Sequence, residues 1–191
     1  MCIYCNYVIS NGRKDFTMEF FETVEKRYTH KERFLNEPVP REHLEAIAHA
    51  GLAAPSGCNA QSVSLIIIDD PSVLDKLRGI ATSAGLDTVR AVIAVMTDPT
   101  TQTNDTNYEK EDYSAAVENM LLAATALGYA SVWLDGILID RKAQQEYLRV
   151  LGAPESFHLP TILPIGKPDG AGMRRIKRPY SERLSYNQFK F

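Results

Sequence analysis

Four short apolar runs and five amphipathic or apolar helical stretches alternate along the chain. "VSLIIIDD" (63–70) and "AVIAVMTD" (91–98) are β-branched and unbroken by polar alternation, the pattern of strands covered on both faces. "YASVWLDG" (129–136) reads as a third strand ending in Asp135–Gly136, and "HLPTILPIGKPDG" (158–170) as a fourth strand followed by a turn. Thr17 stands as an N-cap before "MEFFETVEKR", a helix over about residues 18–27. "REHLEAIAHAGLAA" (41–54) places Leu44, Ile47, Ala48 and Leu52 on one stripe, a helix with a buried face. "PSVLDKLRGIA" reads as a helix between the first two strands, and "RKAQQEYLRVLGAP" (141–154) as an amphipathic one with a Gly–Ala–Pro stop. "DYSAAVENMLLAATALG" (112–128) has an aspartate at its start, a glycine at its stop and apolar residues around most of its circumference, so it is buried, in part against a second subunit. Strands alternating with helices make the chain α/β or α+β.

Between these elements lie "NEPVP" (36–40), extended because each proline restricts its predecessor, and the polar "PTTQTNDTNYEKE" (99–111), expected to be the most mobile internal segment. The end, "MRRIKRPYSERLSYNQFKF", is basic and aromatic without a clear period. Residues 1–17 precede the first helix as an appendage, and residues 18–191 form one domain. With 191 residues, 45% of them hydrophobic, the chain can bury one substantial core. The net charge of −3 gives no electrostatic reason to expect nucleic acid. No stretch approaches the ~20 apolar residues that cross a bilayer, and no secretory leader is evident, so a cytoplasmic address is the default expectation.

Familiar hydrolytic signatures are missing: there is no G-x-S-x-G, H-E-x-x-H or G-x-x-x-x-G-K-[ST]. Cys2 and Cys5 form a C-x-x-C at the terminus without a second ligand pair, which reads as a tail carrying two thiols; Cys58 stands alone. His30, His43, His49 and His158 are scattered, with no common helical ridge for a metal. What remains is polar and cationic. "KRYTHK" (26–31) sets Arg27, Thr29 and Lys31 at alternate positions, on one side of an extended segment. "RRIKR" (174–178) is a second cationic cluster, and "APSGCNAQ" a polar turn directly before a buried strand. Taken singly, each cluster is a solvated run; together they suit a phosphate and a polar heterocycle.

In this order, "KRYTHK", "EPVP", "APSGCNAQ", "AAVENMLLAATALGY", "VWLDG", "LPTILPIGKP" and "RRIKRP" resemble the flavin-dependent nitroreductase family. The likeness runs from about Met18 to the C-terminus, and it rests on order and spacing rather than on one motif. It implies an α+β, three-layer α/β/α fold with a mixed central sheet, assembled as a homodimer with FMN at the subunit interface. It further implies that Arg27, Tyr28, Thr29 and Lys31 contact the FMN phosphate and the N1/O2 edge of the ring. Pro55, Ser56, Gly57 and Asn59 are the loop that reaches across from the other subunit, with Gly57 letting the backbone come close. Asp135 and Gly136 match the strand end whose backbone N–H faces flavin N5. Arg175 and Lys177 match the C-terminal pair on the phosphate, and Arg174 or Arg178 can take either place.

The chain departs from the family pattern where Ser62–Val63 follow Gln61 in place of Pro–Trp, and where Tyr28 and Thr29 replace Arg and Ser. The implied activity is oxidation of NADH or NADPH, with ping-pong hydride transfer through FMN to a nitroaromatic, a quinone or a similar acceptor. No acid–base side chain and no metal is required, and Tyr108 or Tyr113 is placed to stack on the ring. Rival expectations are a specialised reaction such as reductive dehalogenation or flavin fragmentation, a flavin- or nucleotide-binding sensor or carrier, and a dimeric structural protein without the cofactor.

Overall fold

A computed structural model describes residues 19–101 and 106–189. The appendage 1–17, the Thr17 cap, Met18 and the Cys2/Cys5 pair lie outside the described residues. So does the middle of the 99–111 loop.

Four strands form one sheet in the order β1-β2-β4-β3: β1 Val63–Ile68, β2 Ala91–Thr97, β3 Ala130–Ser131 and β4 His158–Gly166. All pair antiparallel, as in Ile68 with Val92, Ala91 with Ile165, and Ser131 with Ile165. The parallel component of the sheet is one bridge, Thr29 with Ser131, outside the named strands. β2 is buried at every position, and its side chains alternate between two cores. Val92, Ala94 and Met96 face helices α3 (Pro71–Ile80), α4 (Ala84–Thr88) and α6 (Arg141–Leu151). Ala91, Ile93 and Val95 face α2 (Arg41–Leu52) and α5 (Glu109–Ala126). The layers are therefore α/β/α, as expected. Helix α1, Phe20–Lys26, packs against α5.

Four elements differ from the sequence reading for identifiable reasons. The third strand spans only Ala130–Ser131, although Leu134 bridges Ile162 in the same register. Ile162 gives both its backbone bonds to Leu134, so Pro164, two residues on, faces the same neighbour with no N–H to offer, and the ladder breaks there. On α2 the stripe is Leu44, Ile47, Ala48 and Gly51, while Leu52 is 54% exposed. Seven residues make nearly two turns, which sets position 51, not 52, over Leu44. The short α4 was hidden in a polar stretch; its signal is the Ser83 cap, whose hydroxyl accepts from Leu86 N–H. Helix α5 begins at Glu109, earlier than Asp112, because Asn107 Oδ1 accepts the Glu109 N–H at 2.8 Å. From 112 to 127 only Glu118 of α5 is exposed.

No helix among the described residues is long and apolar enough to cross a membrane. One polar flaw lies in the core that faces α3, α4 and α6. Tyr147 is fully buried, and its hydroxyl has no partner among the described residues, so burial pushes its pKa up to about 12. Tyr147→Phe removes that unpaired group at no cost in packing and is expected to stabilise the fold by about 1 kcal/mol. A rise of about 2–4 °C in the thermal midpoint is the corresponding readout; a fall would mean that the hydroxyl has a partner.

Candidate functional site at the sheet edge

After α1 the chain runs extended along the free edge of the sheet. His30 N–H donates to Ser131 C=O at 2.9 Å, Leu35 N–H to Lys167 C=O at 2.9 Å, and Asp169 N–H to Arg33 C=O at 3.0 Å. Alternation follows as the sequence implied: His30 and Phe34 turn into the core, while Thr29 and Lys31 are exposed. His30 and Phe34 pack edge-to-face with ring centres 4.7 Å apart, and Tyr28 meets His30 at 6.0 Å. His30 Nε2 lies 2.9 Å from Arg33 C=O. A carbonyl can only accept, so Nε2 carries the hydrogen, and the buried Nδ1 has no partner among the described residues.

This segment forms one wall of an open groove of about 1010 Å³. The opposite wall is the extended arm that follows β4. Six cations line the groove: Arg27, Lys31, Arg174, Arg175, Lys177 and Arg183. Three carboxylates, Glu25, Glu32 and Asp135, stand among them. Tyr28, Thr29 and Trp133 also line it. Lys31, Arg174, Arg175 and Lys177 make no ion pair or hydrogen bond with another described residue. Arg27 differs: its Nε sits 3.2 Å from Glu118 of α5. A positive groove on a chain of net charge −3 is a local concentration, not a general surplus.

The arm is seated on Tyr28. A Cβ at Gly172 would lie 1.9 Å from the Tyr28 ring, so only glycine passes there. Beyond it nearly every residue is exposed, including Met173 (77%), Ile176 (99%) and Tyr180 (79%). Burial raises the Tyr28 phenol above its ordinary value. Tyr113 is raised first by burial, then by the charges of Glu109, Asp135 and Glu111, so both phenols stay neutral donors near pH 7.

The polar turn 55–61 lies elsewhere. None of Pro55, Ser56, Gly57 and Asn59 lines the groove of its own chain, nor does Gly136, which opens a 3-10 turn beside Asp135. The need for glycine at 57 is met within the chain: a Cβ would lie 2.3 Å from the Tyr108 ring. Cys58, Asn59 and Gln61 are all left-handed, with φ of 51°, 55° and 52°. Asp112, buried on the first turn of α5, accepts the Gly57 N–H and the Ser62 hydroxyl, each at 2.7 Å.

Sequence reasoning missed Asp112 as more than a helix start. It also missed Trp133, which packs edge-to-face on Tyr113 at 6.1 Å, and the Glu118 partner of Arg27. Only Trp133 carried a signal, as the one tryptophan of the chain inside the "VWLDG" segment.

Seven of the twelve residues singled out from sequence therefore converge on one groove: Arg27, Tyr28, Thr29, Lys31, Asp135, Arg175 and Lys177. Fold and groove together define an α+β protein with a cationic cleft at the edge of its sheet. The chain belongs to the Nitroreductase family, whose sequence profile matches residues 24–92 and 81–167. A protein of Archaeoglobus fulgidus with the provisional name NADH dehydrogenase/NAD(P)H nitroreductase is 33% identical over 131 residues, covering 68% of this chain and 75% of its own. A provisionally named nitroreductase of Desulfovibrio desulfuricans, solved in complex with FMN, is 28% identical, with a TM-score of 0.77 over 91% of this chain and 99% of its own. A Bacteroides fragilis nitroreductase with bound FMN shares the fold at 23% identity, with a TM-score of 0.72 over 90% of this chain and 100% of its own.

The N-terminal turn of α5, which carries Asp112, is tied to the sheet by Glu109. Its carboxylate accepts from the Thr97 hydroxyl and lies 2.7 Å from His158 Nδ1. Burial pushes this carboxyl up, but the bonds from Thr97 and His158 and the charge of His158 pull harder, and the net shift is below the ordinary 4.5. A depressed folded value means stability that is present above pH 4.5 and lost as pH falls through the folded value. Denaturant unfolding followed from pH 7 to pH 3 is expected to show this loss, and Glu109→Gln to flatten it; an unchanged slope in the variant would remove Glu109 from the acid response.

Proposed function

We propose that the chain is an FMN-dependent oxidoreductase that takes electrons from NADH or NADPH and passes them to a small electron-poor acceptor such as a nitroaromatic or a quinone, working as a homodimer. The observation that carries this reading is the gathering of unpaired cations with Thr29 and Trp133 on one groove. A phosphate and a polar aromatic ring are the chemistry such a donor set suits. The residues fit the cofactor on four counts: free cations from two separate segments, a hydroxyl between Arg27 and Lys31, an indole on the wall, and room for a nucleotide-sized ligand.

In this reading Thr29, Arg175 and Lys177 hold the phosphate, with Arg174 as an alternative on the same arm. Lys31 and Arg27 lie toward the polar edge of the ring, Arg27 shared with Glu118. A cation there favours the negative charge that arrives on reduction. Asp135 offers its backbone N–H beside the ring, and Trp133 and Tyr28 exclude water from it. Bound FMN would supply the chemistry itself, taking a hydride from the nicotinamide and yielding it to the acceptor. The chain's own part is orientation and electrostatics.

A second copy completes the site, because the loop carrying Pro55, Ser56, Gly57 and Asn59 does not reach the groove of its own chain. The dimer reading is supported by the exposed apolar side chains on α1 (Phe20, Phe21, Val24) and along the arm, the kind of surface that marks a protein contact.

The deciding experiment is the visible spectrum of the purified protein with FMN, then with NADH or NADPH in the absence of oxygen. Bleaching of a bound flavin, reversed by a quinone, is the expected result. Flavin that binds but is not reduced would leave a binding protein, and no uptake of FMN would overturn the proposal. Lys31→Ala and Arg175→Ala are each expected to weaken FMN binding by roughly tenfold, about one charge-assisted bond. Fluorescence titration checks this, and unchanged affinity in both variants would move the flavin out of this groove.

A further inference from the structure

We propose that Asp112 is a positioning residue for the flavin site: its buried carboxylate holds loop 55–61 in the shape that presents Asn59 to the flavin of a second subunit. The inference rests on the dimeric flavin reading above.

A connector between a helix and a strand has no need of a buried charge, since removing a carboxylate from water is costly unless donors replace the lost hydration. Asp112 is 3% exposed and has two donors, one on each oxygen. Gly57 N–H lies near the start of the loop and Ser62 O–H just past its end, so one side chain anchors it at two points. Between these anchors three non-glycine residues adopt left-handed backbone, Cys58, Asn59 and Gln61. Outside this loop, only Asn187 among the described non-glycine residues has a positive φ. Such backbone persists where the surroundings over-determine it.

The rest of the loop agrees. Ser56 takes the Asn59 N–H on its carbonyl at 3.0 Å and the Gln61 N–H on its hydroxyl at 3.0 Å, so its side chain is occupied internally. The Tyr108 ring closes over Gly57 from the other side. The Asn59 carboxamide, by contrast, is exposed and makes no hydrogen bond to another described residue. A clamped, strained loop thus carries two uncommitted carboxamides, Asn59 and Gln61, each able to donate and accept, and Asn59 lies between the two anchors at its crest. Its conformation is set before any ligand arrives, and Asp112 sets it.

The test uses Asp112→Ala, Asp112→Asn and Ser62→Ala in the full chain. The exposed Cys58 thiol reports the loop without cofactor. Maleimide labelling resolved by peptide mass is expected to change in rate at Cys58 in Asp112→Ala, with Asp112→Asn between it and the parent. FMN affinity should fall roughly tenfold in Asp112→Ala, the worth of one bond to a charged group. Subunits of Asp112→Ala mixed with subunits of Lys31→Ala should regain one tight FMN site per heterodimer, because loop and groove then come intact from different chains. A folded Asp112→Ala with parental labelling and affinity overturns the inference, as does mixing that restores no tight site. If Asp112→Ala does not fold, Ser62→Ala carries the same test through the second oxygen. A parent protein that binds no FMN overturns the flavin reading and this inference with it. Tight parental binding with a neutral Asp112→Ala removes only Asp112.

Discussion

Two backbone hydrogen bonds, from His30 to Ser131 and from Leu35 to Lys167, lay residues 27–35 along the edge of the sheet, and the site depends on that placement. Extended backbone sends alternate side chains to opposite sides. With His30 and Phe34 committed to the core, Thr29 and Lys31 must face outward, and Tyr28 is left as the seat on which the C-terminal arm crosses at Gly172. The arm brings Arg174, Arg175 and Lys177 over the same opening. Two cationic segments that are about 145 residues apart in sequence become the walls of one groove because the first is bonded to Ser131 of β3 and to Lys167 just past β4, and the second continues from β4.

Charge and shape then point the same way. Arg27 is neutralised by Glu118, which fixes it near α5, while Lys31, Arg174, Arg175 and Lys177 share the groove with Glu25, Glu32 and Asp135 but form no ion pair with any described residue. Like charges held together disfavour one another, so their convergence costs stability that an anion would return. The second constraint lies at the start of α5. Within five residues, Tyr108, Glu109 and Asp112 touch the polar loop, the end of β2 and the start of β4. This turn connects the sheet to a loop whose residues do not line the groove of their own chain.

Much of this was legible in the sequence. The unbroken apolar runs 63–68 and 91–97 announced a sheet covered on both sides, and the alternation in "KRYTHK" gave the outward face of the edge segment. The order of motifs gave the family. What stayed hidden depends on contacts between distant positions. Nothing local says that Pro164 will interrupt β3, since that needs the register of β4. Nothing local says that Gly57 answers to Tyr108, or that Asp112 holds the loop and not merely the helix dipole. The sheet order, with β4 in the interior and β3 at the edge, is likewise set by packing, because short antiparallel strands can be arranged in several ways with the same pattern.

Crystallisation of the protein with FMN is the most direct measurement of the central claim, that the groove walled by residues 27–31 and 174–177 is the flavin site. The expected structure places the phosphate between Thr29 and the Arg175–Lys177 arm, with the ring beside Trp133 and Asn59 of a second subunit against it. A flavin bound outside this groove, or held fully within one chain without the 55–61 loop of another, would contradict it.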